Sequence, residues 1–199
     1  MLAGLRVLGE DHFLRAVILQ IMLHNVALGA LSIIVVVGAQ QRGVAGLSIG
    51  VIVASQAVGA IIGSFSTMFL VRRVAAGTVI LLTGWMWVAL IPLVIVLTNV
   101  IALSMLLAFL WIFVPVQRTV LGTYRAQRLP LSMLGKVVSA STLLTGALAA
   151  VGPGLGGTLL DRHNVVVTIG CLVAITMIPM IFSTFINRIG RITLSVDEK

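Results

Sequence analysis

Six long apolar runs, separated by short breaks that carry most of the charge, fill nearly all of the 199 residues. The runs cover 14–39, 46–71, 76–98, 100–124, 132–160 and 165–186. Crossing the hydrocarbon core of a bilayer, about 30 Å thick, takes roughly 20 helical residues, and a helix satisfies its own backbone there. Each run therefore predicts one spanning helix, and the chain reads as an all-α integral membrane protein. Its expected divisions are a lead-in at 1–13, a six-helix bundle at 14–187 and a tail at 188–199. In the lead-in, Leu2, Leu5, Val7, Leu8 and Phe13 stand beside Arg6, Glu10 and Asp11, a pattern suited to lying on a membrane surface.

Composition narrows the class further. Hydrophobic residues make up 60% of the chain and charged residues 9%, too few to coat a water-exposed globule. The net charge of +8 is dispersed among helix ends, which marks topology determinants facing anionic lipid and argues against nucleic acid as a partner. Eleven of the Lys and Arg residues fall in the N-terminal stretch, the second and fourth breaks and the tail, whereas Arg42 and Arg162 fall on the other side. Positive residues stay inside, so both termini are expected in the cytoplasm. The first run is too long for a cleaved signal peptide and reads as an uncleaved anchor. Cys171, the single cysteine, excludes an internal disulfide and reads as a packing residue.

Inside the runs, small residues at every fourth position mark faces where helices approach closely. Run two has Ser55, Gly59, Gly63 and Thr67; run five has Thr142, Gly146, Ala150 and Gly154, with Gly152 and Gly156 beside them. These two helices are expected to make the tightest contacts, and Gly152-Pro153-Gly154 is a candidate flexible point. Polar residues at depth carry more information because they are costly there. His24 and Asn25 lie about ten residues into run one, roughly 15 Å deep at 1.5 Å per residue, and Gln56 is similarly deep in run two. Together they suggest the wall of a polar cavity; the alternative is that neighbouring backbones satisfy each of them. Arg118, about 18 residues along run four, is placed roughly 27 Å from its start and reads as snorkelling at the cytoplasmic edge. No Asp or Glu lies inside any run, so carboxylate-based proton coupling has no carrier.

Catalytic patterns are sparse. Gly46-Leu47-Ser48-Ile49-Gly50 matches G-x-S-x-G, but that motif acts between a strand and a helix, and here it opens a membrane run. An intramembrane serine protease would need Ser48 to meet His24, which the two depths disfavour. No metal-binding motif or P-loop is present, and neither cofactor nor metal is expected.

The break between runs four and five reads Tyr124-Arg-Ala-Gln-Arg-Leu-Pro130-Leu-Ser-Met-Leu-Gly135-Lys136-Val-Val-Ser139. It resembles the cytoplasmic loop between helices ten and eleven of major facilitator superfamily exporters. The glycine-rich stretch from Gly146 to Gly157 is similar to that family's eleventh helix, and Gly4-Leu5-Arg6-Val7-Leu8 with Phe13-Leu14-Arg15 looks like its lead-in to helix seven. The branch it resembles most is the bacterial macrolide and siderophore efflux group. The resemblance implies half of a major facilitator fold, the C-terminal six helices, in a bacterial plasma membrane. It also implies an amphipathic small-molecule substrate held against a second six-helix half. That partner would be a separate chain, a copy of this one, or a missing N-terminal half. On this basis His24, Asn25 and Gln56 are candidates for the substrate cavity. Gly59, Gly63, Arg72, Arg73, Gly135, Lys136, Gly146, Gly152, Pro153 and Gly154 are candidates for gating and packing. The usual acidic residue and tight glycine after run two are missing beside Arg72-Arg73, which departs from the family's latch. A non-transporting remnant and a membrane interaction protein are the other classes open.

Overall fold

The computed structural model describes residues 12–73 and 76–187, all-helical apart from short connections. The helices are α1 (His12–Gln41), α2 (Gly46–Arg73), α3 (Ala76–Leu90), the one-turn α4 (Leu93–Val96), α5 (Val100–Arg128), α6 (Leu131–Arg162) and α7 (Val165–Asn187). Counting α3 with α4, six stretches are long and apolar enough to cross a membrane, which makes this a multi-pass membrane protein. Nearly all of the lead-in and the tail, together with the Arg72 and Arg73 side chains, lies outside the described residues.

Local chemistry explains where the helices stop. Gly43 takes a left-handed φ of 70°, and its N–H donates to Gln40 O while Val44 N–H donates to Ala39 O. Those two bonds close α1 as a Schellman motif, which a glycine adopts without steric cost. At the start of α5 the Asn99 side chain accepts from Ile101 N at 2.8 Å, and at the start of α7 Asn164 Oδ1 accepts from Val167 N at 2.9 Å. Pro130, with extended ψ, separates α5 from α6 by a two-residue step, as its missing N–H and the restriction on Leu129 dictate.

One predicted helix differs. Run three was expected to be continuous over 76–98, but it breaks at Ile91-Pro92. Pro92 has no N–H to continue the ladder, and the chain passes through a tighter turn in which Val94 N–H donates to Ile91 O at 3.2 Å. Pro115, Pro153 and Pro179, by contrast, sit within unbroken helices. The Gly152-Pro153-Gly154 segment is thus continuous helix here.

The helices pair in a pattern with internal symmetry. The two largest interfaces join α2 to α5 and α1 to α6; smaller ones join α1 to α7, α3 to α5 and α3 to α7. Exchanging the first three spans with the last three leaves this set of pairs unchanged. Three is an odd number of crossings, so the two units run in opposite directions, as inverted repeats do.

Glycine contacts fix the register of the repeat. A Cβ on Gly59 would strike the Ala108 backbone, and one on Gly63 the Ile112 backbone. A Cβ on Gly152 would strike Val26 O, and one on Gly156 would lie 2.8 Å from Ala30 Cα. Each unit therefore uses one G-x-x-x-G pair to bring backbones together, where van der Waals packing holds helices in lipid. Runs two and five do carry the close contacts, but each with a different partner. On α6 the contact row is Gly152 and Gly156; Gly146 and Gly154 open onto empty space, because they point to the other side of the helix. Gly29 completes the fit, since a Cβ there would lie 2.8 Å from Pro153 Cδ.

The core divides into two apolar clusters. One, nearer the helix ends that lead to both termini, holds Val17, Ile18, Ile80, Val120 and Tyr124; the other, toward the opposite face, holds Leu31, Ile34, Trp87, Leu107 and Ile169. Between them α1, α3, α5 and α7 contribute a layer of buried polar side chains.

Candidate functional site

The polar layer is built from single polar residues set into apolar helices. Gln20 is fully buried on α1; its amide Nε2 donates to Ile80 O at 3.2 Å, and its Oε1 accepts from Ser183 Oγ at 3.3 Å. That one side chain ties α1 to α3 and α7. On the other flank Gln117 Nε2 donates to Thr83 Oγ1 at 2.8 Å, and the Thr83 hydroxyl donates on to Val79 O at 2.8 Å, linking α5 to α3. Asn25 Nδ2 reaches Thr145 O on α6 at 3.3 Å. Buried amides satisfied in this way stabilise the bundle, each by about 1 kcal/mol net.

Two rings in the layer are not fully satisfied. His24 Nδ1 sits 2.8 Å from Gln20 O, and because a carbonyl only accepts, Nδ1 carries the hydrogen. Nε2 is then an acceptor, and it is buried without a partner. Trp87 packs edge-on against His24 at 5.6 Å between centroids, and its Nε1–H is also buried without a partner. Both rings line a small cleft of about 10 Å³ between α1, α3 and α5, together with Asn25, Val114, Gln117 and Arg118.

The sequence expectations meet this geometry unevenly. His24 and Asn25 share the cleft, whereas Gln56 is half-buried on α2 and is not part of its lining. Since Gly59 abuts Ala108 and α2 runs parallel to α5, Gln56 lies level with Met105, roughly 18 Å from Gln117 along the helix at 1.5 Å per residue. It is not at the level of His24. Arg118, read from sequence as snorkelling to the cytoplasmic edge, is exposed and borders the same cleft as His24. Ser48 is half-buried in the first turn of α2, at the far end from the cleft, so it and His24 are not brought together. Gly135 and Lys136 are exposed near the start of α6.

Gln20, Thr83, Trp87, Gln117 and Ser183 were not singled out from the sequence. A signal existed for Gln20 and Gln117, each an amide several residues inside an apolar run.

The repeat supplies an internal comparison. With Val26 and Ala30 matched to Ala108 and Ile112, His24 corresponds to Leu106, Asn25 to Leu107, Gln117 to Val35 and Arg118 to Val36. Val35 lines a separate cleft of about 110 Å³ at the opposite face, where Ile34, Ile52, Val94 and Leu103 stand with Gln41, Arg42 and Thr98. At each of the four matched positions, then, one repeat carries a polar side chain and the other an aliphatic one. No protein-family profile, curated protein or solved structure matches this chain.

Proposed function

We propose that this chain is one six-helix half of a major facilitator-type transporter in a bacterial plasma membrane, with both termini cytoplasmic. It moves an amphipathic small molecule outward by alternating access. The observation that carries the proposal is the inverted three-plus-three pairing of helices, the internal plan of each half of such transporters. The polar cleft fits the same plan, because substrate sites in these proteins lie near the midplane where helices of the two repeats meet. Transport then consists of this bundle rocking against a second bundle around the cleft.

α2 and α6 are the natural mates of that second bundle. Only 17% and 11% of their apolar windows are buried, against 50% for α1, and apolar side chains such as Phe65 and Leu143 lie exposed on them. The test is native mass spectrometry of the chain extracted from its own host in mild detergent. A stable dimer, or a complex with a second six-helix chain, is expected. A chain found only as a monomer overturns the transporter-half assignment and leaves a non-transporting remnant.

A further inference from the structure

We propose that the cleft at the end of the bundle away from both termini binds a ring-sized apolar group, a benzene ring or a hydrocarbon of that size. The site is separate from the polar layer and stands whether or not the chain transports.

The cleft is open because two small residues stand where the other repeat has larger ones. With Val26 and Ala30 matched to Ala108 and Ile112, Gly38 and Ala39 on α1 correspond to Val120 and Leu121 on α5. Val120 and Leu121 are buried, and they fill the apolar cluster nearer the termini. Glycine lacks the three side-chain carbons of valine, and alanine lacks three of the four of leucine, so six carbons held by one repeat have no counterpart in the other. Six carbons are the content of one benzene ring. A Cβ on Gly38 would meet nothing within 4 Å, so the space lies on the side to which the counterpart of Val120 would point.

The walls suit hydrocarbon. Gly38 and Ala39 share the cleft of about 110 Å³ with Ile34, Ile52, Val94 and Leu103, all four of them buried. Val94 comes from the one-turn α4 that follows the break at Pro92. A buried water is held by about two to four polar partners, and these aliphatic side chains offer none. The polar residues of the cleft belong to its rim: Gln41 ends α1, Arg42 follows it in the turn, and Thr98 lies in the link before α5. An apolar cavity of about 150 Å³ in a protein core stays dry and takes up benzene or xenon, and 110 Å³ is of that order. A ring seated there gains dispersion contacts on every side that the matched side chains supply in the other repeat.

The test is methyl NMR of the full chain in nanodiscs of deuterated phosphatidylcholine, titrated with benzene. Saturable shifts of the Ile34, Ile52 and Leu103 methyls are expected, with intermolecular NOEs from benzene to the same groups. Gly38→Val restores the side chain of the other repeat and should weaken binding by about tenfold or more, while Gly38→Ala, one carbon instead of three, should weaken it less. Gly122 also faces open space, on the exposed side of α5 and outside the cleft, so Gly122→Val should bind as the parent does and controls for a valine placed in a helix. The proposal is overturned if the methyl shifts rise with benzene without saturating, as benzene dissolved in lipid alone would make them do. It is overturned equally if Gly38→Val binds no more weakly than Gly122→Val.

Discussion

His24 and Trp87 stand edge to face with ring centroids 5.6 Å apart, and each has one buried nitrogen without a hydrogen-bond partner. Around them every other buried amide of the polar layer is bonded: Gln20 to Ile80 and Ser183, Gln117 to Thr83. An unsatisfied buried polar group costs about 1–3 kcal/mol, so these two nitrogens are the weak points of an otherwise bonded layer.

The Thr83–Gln117 bond is asymmetric, and its two ends should respond differently to deletion. Thr83→Val leaves the buried Gln117 amide without its acceptor and should cost about 1–3 kcal/mol. Gln117→Leu leaves the Thr83 hydroxyl still donating to Val79 O and should cost less than about 1 kcal/mol. Thermal unfolding of both single variants and the double variant in detergent checks this. The double variant should be more stable than Thr83→Val alone.

The glycine pairs should separate by face. Alanine at Gly59, Gly63 or Gly152 places a Cβ against backbone atoms of the partner helix and should destabilise by about 1–3 kcal/mol or more. Alanine at Gly146 or Gly154 meets open space and should be neutral or stabilising by about 0.5–1 kcal/mol, the helix-propensity gain. Equal losses at both sets would contradict the packing of α6 against α1.

Gly43 closes α1 at a φ of 70°, so Gly43→Ala should cost about 1–2 kcal/mol and Gly43→Asn less. Nothing lies within 4 Å of a Cβ at this position, so crowding does not contribute. Denaturation midpoints of the two variants, ranked against the parent, test the backbone argument.

Arg118 should sit deep. A fluorophore on a cysteine at 118 is expected about 14 Å deeper than one at 127, nine residues further along α5 at 1.5 Å each. Depth-dependent quenching by brominated lipids measures the difference. Equal quenching at the two positions would return Arg118 to the membrane edge.

Much of the architecture was legible before the fold was known. Six apolar helices follow from run length, since lipid leaves a backbone few ways to satisfy itself, and the Pro130 step follows from a missing N–H. His24 and Asn25 stood out because an imidazole and an amide are rare in such runs. Pro92 was equally visible, but four other prolines lie in or beside the runs, and only the break itself distinguishes it.

Tertiary structure decided which helix meets which. Helical periodicity says which residues share a face, not which neighbour that face will find. The row of Gly146 and Gly154 and the row of Gly152 and Gly156 are equally plausible on paper, and only the pairing of α6 with α1 selects the second. Depth behaved in the same way. Counting along one run put Gln56 with His24, yet level is a relation between helices, set by the offset at which their small residues lock together. That offset brings Arg118, Gln117 and Trp87 to His24 and carries Gln56 away from it.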